Sequence, residues 1–204
     1  MRILKLLGIS GTIVGAKSAI LVNEILNKVK KKDPDIHAEL LDLKYYNMEF
    51  SNGRPIHDYN EDTQKIIRKV MAANFYLIGT PVFNGSIPAP LKNLFDLLPP
   101  AALRHKIMGF VAVGGTFQHY LMIENQLKPI AGYLRAFTTP SYVYAHNSHF
   151  NEKNEIMDAD LQTRMNNLAE ELVFMQRNLF KNDERETGTL LSSTDTERMK
   201  TRVG

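Results

Sequence analysis

Cysteine is absent from the 204 residues of this chain. Its absence excludes disulfides, thiolate metal sites, iron–sulfur clusters and a cysteine nucleophile. A chain without disulfides suits a reducing compartment, so we expect a cytoplasmic protein. Long apolar runs are also lacking. Because a membrane-spanning helix needs about eighteen or more consecutive apolar residues, the sequence predicts no such helix and no membrane partner.

A large excess of charge of one sign is lacking as well. The chain has 25 basic and 22 acidic residues, which give a formal net charge of +3. This balance, and the absence of a basic stripe interleaved with aromatic residues, argue against nucleic acid as a partner. The small positive excess is compatible with modest attraction of phosphorylated ligands.

The residues that are present are typical of a globular protein. Apolar residues make up 44% of the chain and charged residues 23%, which excludes a mostly disordered, collagen-like or coiled-coil protein. The length suits one α/β domain. From about residue 181 the sequence becomes polar and rich in serine, threonine and charges. We therefore expect a single domain over residues 1–180 and a polar tail over residues 181–204.

Short apolar runs alternate with amphipathic stretches along the domain. This alternation predicts βαβ units, a parallel sheet and right-handed crossovers that place helices on both faces. On the last helix, apolar residues spaced by three or four indicate a core face or a subunit contact. The predicted strands are residues 3–9, 36–43, 74–80, 107–113 and 139–145, and the predicted helices are residues 18–29, 61–73, 88–98, 118–134 and 158–180.

Ligands of open α/β sheets bind at the carboxyl ends of the strands. The segment after the first strand contains the hydroxyls of Ser10, Thr12 and Ser18 and the cation of Lys17, and it opens a helix. The N–H groups and dipole of a helix N-terminus favour an anion, so this segment predicts a phosphate site. A plain strand-to-helix turn is the alternative. A Walker A loop is excluded because Ala16 precedes Lys17 where that motif requires glycine.

The segment after the third strand contains no acid, base or thiol. It offers backbone N–H donors, one amide, one hydroxyl and a flat aromatic ring, and its glycine allows a ligand to approach the backbone closely. These groups suit a planar heterocycle with polar edges better than a hydrolytic centre. The candidate residues are Pro81, Val82, Phe83, Asn84, Gly85 and Ser86.

The segment after the fourth strand adds Gly114, Gly115 and Thr116, whose backbone can contact the same heterocycle from another side. His119 follows directly and is a candidate contact to the ligand, with a histidine at a helix start as the alternative. No serine–histidine–acid set is recognisable, and we expect no metal site.

Residues 79–93, Gly-Thr-Pro-Val-Phe-Asn-Gly-Ser-Ile-Pro-Ala-Pro-Leu-Lys-Asn, resemble the flavin-ring motif of the NAD(P)H-dependent FMN reductase family. Further segments resemble the subgroup of alkanesulfonate-system FMN reductases, which supply reduced FMN to a separate monooxygenase. These segments are Asp96-Leu97-Leu98-Pro99, Ala102-Leu103, Lys106, Gly114-Gly115-Thr116, His119, Leu127-Lys128-Pro129 and Leu161-Gln162-Thr163-Arg164.

The resemblance implies a flavodoxin-like fold with a five-stranded parallel sheet in the order 2-1-3-4-5. It implies FMN, with NADPH or NADH as co-substrate, and hydride transfer at the flavin N5 without an essential protein acid or base. The phosphate of FMN would bind the first segment, and its ring would bind the second and third. The family also implies a homodimer or homotetramer, and the subgroup a flavin-dependent monooxygenase as partner.

Several alternatives remain open from the residues alone. A quinone or azo-dye reductase on the same fold would retain FMN and reduce a second substrate. A flavodoxin-type electron carrier is disfavoured by the sequence pI of about 9.0, because such carriers are acidic. The third alternative is a flavin-binding regulatory module without turnover. Arg54 and His57 are possible contacts to a nucleotide phosphate or plain loop residues, and His146 and His149 are possible metal ligands or plain loop histidines.

Overall fold

A computed structural model describes residues 3–99 and 101–180 of the chain. Its parallel sheet has the predicted strand order β2-β1-β3-β4-β5, and a further strand, β6, also pairs with β4. The predicted tail, residues 181–204, lies outside the described residues. The strands are β1 Leu4–Ser10, β2 Ile36–Asp42, β3 Phe75–Pro81, β4 Ile107–Gly114, β5 Phe137–Thr138 and β6 Val143–His146.

Helices cover both faces of the sheet, as predicted. One apolar cluster joins the helices α1 and α5 to one face, and a second joins α2 and α3 to the other. Within the two described ranges, every helix is too short or too polar to cross a bilayer. The helices are α1 Lys17–Lys32, α2 Glu61–Ala72, α3 Ala89–Leu97, α4 Lys128–Tyr133 and α5 Ala159–Leu179.

The predicted fifth strand over residues 139–145 is interrupted. The structure has two short strands here, β5, which precedes the predicted range, and β6, and both pair with β4 in parallel register. Thr139 extends β5 because its N–H donates to Met108 O at 3.0 Å. Pro140 has no N–H to give to a ladder. The N–H of Ser141 donates to the Glu171 carboxylate of α5 instead of to β4. One edge strand is therefore divided where proline and a helix carboxylate replace the ladder bonds.

The predicted helix over residues 118–134 is also divided. Phe117–His119 forms a 3-10 turn, Ile123–Leu127 forms a π-helical turn, and α4 follows directly. Pro129 lies in the first turn of α4, where a missing N–H is tolerated. The wider π turn ends just before Pro129, and the chain remains helical on both sides of the proline.

The apolar stripe of α5 is core over most of its length. Leu161, Met165, Leu168 and Leu172 are fully buried against the sheet and α1. Leu179, at the end of the helix, is more than half exposed. The periodic pattern therefore identified the buried face, and only its last position departs from it.

Helix α1 packs directly on the sheet at two glycines that face it. A Cβ atom on Gly8 of β1 or Gly79 of β3 would overlap the side chain of Val22. Val22 is fully buried, as are its neighbours Leu21 and Ile25. This close approach places the first turn of α1, which includes Ser18, beside the carboxyl ends of β1 and β3.

We expect Gly79→Ala to destabilise the fold by roughly 1–3 kcal/mol, the usual cost of overpacking a filled core. The added methyl would displace Val22, so the double variant Gly79→Ala/Val22→Ala should be more stable than the sum of the two single effects predicts. Urea unfolding of the four proteins in the cycle measures this coupling. Strict additivity would show that Val22 does not set the distance between α1 and the sheet.

Candidate functional site

A cleft of about 680 Å³ lies at the carboxyl ends of β1, β3 and β4. All three segments that the sequence singled out contribute to its wall, as expected for a ligand site in an open α/β sheet. Seven of the predicted residues line it: Lys17, Ser18, Pro81, Val82, Phe83, Gly114 and Gly115. The wall is completed by Val14, Gly15, Ala16, Val113, Asn147 and Asn154.

One end of the cleft is suited to an anion. The first intrahelical bond of α1 runs from Ile20 N to Ala16 O, so the N–H groups of the first turn have no intrahelical acceptor. No side chain caps this helix, and its first turn contains no acid. Lys17 adds a positive charge at the same point of the cleft wall. Free N–H donors, the positive end of the helix dipole and an ammonium group together favour a phosphate.

Ser10 and Thr12 lie beneath this loop and do not line the cleft. Thr12 is buried, and its Oγ1 bonds both the N–H and the carbonyl of Val14 at 3.1 Å, which shapes the turn. Ser10 Oγ is buried and lacks a hydrogen-bond partner among the described residues. A buried hydroxyl without a partner destabilises a fold by about 1–3 kcal/mol, so the Ser10 hydroxyl is an unsatisfied hydrogen-bonding group beneath this loop.

The segment after β3 forms a tight hairpin. Phe83 and Ser86 exchange two backbone hydrogen bonds of 3.0 Å, and the two residues between them have positive φ angles, 50° for Asn84 and 78° for Gly85. This is a type I′ turn with the Asn-Gly pair that such turns prefer. Val82 N also donates to Val113 O at 2.8 Å, which joins the hairpin to β4.

The hairpin is anchored from outside the cleft by Gln126 of the π turn. Its Oε1 accepts from Ser86 Oγ at 2.7 Å, and its Nε2 donates to Gly85 O at 2.9 Å. The Ser86 hydroxyl, a predicted ligand contact, is therefore engaged within the protein. The N–H groups of Asn84 and Gly85 have no acceptor among the described residues and are the donors that this hairpin offers. Asn84, Gly85 and Ser86 are not part of the cleft wall, to which this segment contributes Pro81, Val82 and Phe83.

The segment after β4 is held by the neighbouring strand β6. A Cβ atom on Gly114 would overlap the Tyr144 hydroxyl, so this glycine is required by packing as well as by any ligand. Gly115 has more room, since the nearest atom to its would-be Cβ is Asn147 Nδ2 at 3.7 Å. The Thr116 hydroxyl accepts from Gln118 N at 3.1 Å and so caps the following 3-10 turn.

Asn147 and Asn154 are residues of the cleft that the sequence analysis missed. Asn147 Oδ1 accepts a hydrogen bond of 3.0 Å from Lys17 Nζ, and the same Nζ stands 5.1 Å from the centre of the Phe150 ring. Asn154 has a positive φ of 60°. Both follow the last strand, and the rule that placed the other loops at strand ends would have found them if applied to β6.

The other sequence candidates lie apart from the cleft wall. His119 is in the 3-10 turn and does not line the cleft. Arg54 pairs with Glu49 at 2.8 Å and covers the Tyr59 ring, and its guanidinium lowers the pKa of the Glu49 carboxyl. His57 is largely exposed beside Asp58. Neither Arg54 nor His57 is part of the cleft wall.

His146, the last residue of β6, and His149, in the turn after it, contact each other and the loop after β4. His146 N donates to His149 Nδ1 at 3.3 Å, and the His146 ring stacks on Phe117 with their centres 4.3 Å apart. Among residues 3–99 and 101–180, no group of three or more histidine and carboxylate side chains converges on a point where a metal ion would sit.

Comparisons with known proteins agree on one family. Residues 4–150 match the family model described as NADPH-dependent FMN reductase. An NAD(P)H-dependent FAD/FMN reductase of Geobacillus thermodenitrificans is 58% identical over 176 residues, which cover 86% of this chain and 95% of that protein. An FMN-dependent NADPH-azoreductase of Staphylococcus aureus is 30% identical over 156 residues, covering 72% and 82% of the two chains.

Solved structures support the fold. An apo NADH:FMN oxidoreductase superposes with a TM-score of 0.69 at 21% identity, over 83% of this chain and 88% of the other. A flavodoxin from the domain Archaea superposes with a TM-score of 0.59 at 9% identity, over 86% of this chain and 100% of the other. These superpositions establish the flavodoxin-like fold that the resemblance implied. With the family model matched over most of the domain, the chain belongs to the NADPH-dependent FMN reductase family.

Proposed function

We propose that this chain is an NAD(P)H-dependent FMN reductase that binds FMN in the cleft at the ends of β1, β3 and β4. The observation that carries the proposal is the pairing of an anion-binding end with two loops that offer unpaired backbone N–H donors. A phosphate at one end and a planar, polar-edged ring at the other describe FMN. The residues present therefore fit this cofactor.

The protein contributes orientation and polarity. We propose that Lys17, Ser18 and the first-turn N–H groups of α1 hold the phosphate. The hairpin N–H groups of Asn84 and Gly85 would donate to the ring edge, and the side chain of Phe83 would cover the ring. FMN, when bound, supplies a flavin N5 that accepts the nicotinamide hydride.

Acid–base groups contribute little to this site. Among the described residues that line the cleft, none is a carboxylate or an imidazole. The single ionisable group of that wall is Lys17, which we assign to the phosphate. The chain therefore acts by holding two rings in contact, by excluding water and by placing donors where negative charge grows.

We propose that FMN is exchanged with solution rather than retained, and that the reduced flavin passes to a monooxygenase. Support comes from the resemblance of the segments named above, between residues 96 and 129 and over residues 161–164, to flavin-supplying reductases. We also propose that the enzyme is cytoplasmic and forms a homodimer or homotetramer. Exposed apolar side chains beside the cleft support self-association, since such patches mark contact surfaces: Ile13, Val14, Phe83, Phe117, Tyr120 and Leu121.

A retained-flavin quinone or azo-dye reductase is the second candidate, because the Staphylococcus aureus relative bears such a name. An assay of NADH and NADPH oxidation separates the two. For a flavin supplier we expect turnover that rises with added free FMN and saturates. Turnover that ignores free FMN and depends on an added quinone or azo dye would establish the second candidate instead.

Replacing Lys17 with methionine tests the phosphate end. A lost charge-assisted hydrogen bond costs about 1.5–3 kcal/mol, so FMN affinity should fall roughly 10- to 150-fold. Riboflavin, which has no phosphate, should bind Lys17→Met and the wild type alike. Lys31→Met, at the far end of α1, is the matched control and should leave both affinities unchanged. Equal losses for FMN and riboflavin in fluorescence titrations would exclude a phosphate role for Lys17.

Replacing Gly85 with asparagine tests the ring hairpin. Asparagine tolerates positive φ, and nothing lies within 4 Å of a Cβ at this position, so the side chain should fit the protein without a ligand. We expect FMN affinity to fall at least roughly tenfold, because the side chain occupies space beside the ring, while the melting temperature changes little.

Gly53→Asn is the matched control for this substitution. Gly53 has a nearly equal φ of 80° and equally open surroundings, in the loop between β2 and α2. Gly53→Asn should have the same melting temperature as Gly85→Asn and the same FMN affinity as the wild type. If Gly85→Asn also binds FMN with wild-type affinity, the hairpin does not contact the ring.

A further inference from the structure

The loop after β4 is held by two side chains of β6 that do not line the cleft. Tyr144 Oη donates to Thr116 O at 2.5 Å. His146 Nε2 bonds Gly115 O at 2.9 Å. Because Tyr144 and His146 are two residues apart on one strand, their side chains leave the same face of the sheet. They therefore hold two consecutive peptide carbonyls of the loop from the same side.

The protonation of both side chains suits this role. His146 Nδ1 accepts from Ser148 N at 3.1 Å, so the remaining ring proton is on Nε2, where it donates to Gly115 O. Burial raises the pKa of the Tyr144 phenol, so its hydroxyl keeps the proton that it donates to Thr116 O. The His146 ring is in turn stacked on Phe117, the next residue of the loop.

Fixing a carbonyl also fixes the N–H that follows it. In a planar trans peptide the C=O of one residue and the N–H of the next point in opposite directions. With the carbonyls of Gly115 and Thr116 held toward β6, the N–H groups of Thr116 and Phe117 must face away from it. Neither N–H has an acceptor among the described residues. Gly115 lines the cleft, and Thr116 and Phe117 follow it directly at the rim without being part of the wall.

We propose that Tyr144 and His146 are positioning residues that aim the N–H groups of Thr116 and Phe117 at the flavin edge where negative charge grows on reduction. The proposal rests on FMN binding in the cleft as proposed above. Donors fixed in advance stabilise the more negative form more than the neutral one. The two side chains would therefore raise the affinity of the protein for reduced FMN relative to oxidised FMN.

Tyr144→Phe removes one of these bonds while keeping the ring that packs against Gly114. We expect it to weaken reduced FMN roughly two- to tenfold more than oxidised FMN, the effect of one net hydrogen bond. Because binding and redox equilibria are linked, the same ratio appears as a more negative midpoint potential of bound FMN, about 30 mV for tenfold. His146→Phe, which keeps the stack on Phe117, should act in the same direction.

Tyr142→Phe is the matched control, because it removes a tyrosine hydroxyl two residues earlier that makes no hydrogen bond to the loop after β4. It should leave the affinity ratio unchanged. A second readout needs no flavin: the ¹⁵N order parameters of Gly115, Thr116 and Phe117 in the apo protein. They should fall from the rigid range near roughly 0.85 toward about 0.6 in Tyr144→Phe and remain high in Tyr142→Phe.

Each outcome has a distinct meaning. Unchanged order parameters in both Tyr144→Phe and His146→Phe, with native circular dichroism, would show that the side chains do not hold the loop. A more mobile loop with an unchanged ratio of the two FMN affinities would show that the loop does not favour reduced flavin. A wild-type protein that binds neither form of FMN would overturn the proposed function itself, and this proposal with it.

Discussion

The close approach of α1 to the sheet is the constraint on which the rest of the site depends. Val22 occupies the space that side chains on Gly8 and Gly79 would fill, so the helix rests directly on β1 and β3. Its first turn therefore lies at the carboxyl ends of these strands, next to the loops that follow β3 and β4. One ligand can reach both the first turn of α1 and the loops after β3 and β4 only if the helix and these loops are close together.

Backbone donors, more than side chains, give this cleft its chemistry. The first turn of α1 presents unpaired N–H groups because nothing caps it, and the hairpin does so because the N–H groups of its two central residues, Asn84 and Gly85, meet no acceptor among the described residues. Side chains outside the wall, such as Gln126 and Tyr144, take up the loop carbonyls. A surface made of donors favours ligands rich in acceptors, and most of all ligands that gain negative charge during the reaction.

The sequence predicted the fold well because its signals are local and periodic. Alternating apolar runs and amphipathic stretches define the strands and helices, and the strand-end rule brings three separated loops to one cleft. The errors arise where a tertiary contact overrides the pattern. Pro140 and the Glu171 carboxylate divide the last strand. The proline was visible in the sequence, whereas the bond from Ser141 N to Glu171, 30 residues away, was not. The bond from the Ser86 hydroxyl to Gln126, 40 residues away, was likewise beyond the reach of the local pattern, and the ligand contact of Ser86 stays a prediction.

The division of the last strand bears on the site as well as on the fold. The interruption at Pro140 separates β6 from β5, and β6 alone carries Tyr144 and His146 to the loop after β4. Residue type could not reveal this, because a tyrosine and a histidine at a strand end are equally typical of core and of surface. Only the pairing of Val111 with Val143 and of Gly114 with His146 places these side chains beside Gly115. The register of the edge strand β6 against β4 thus determines which carbonyls of the loop after β4 are held, and with them the direction of the N–H groups of that loop.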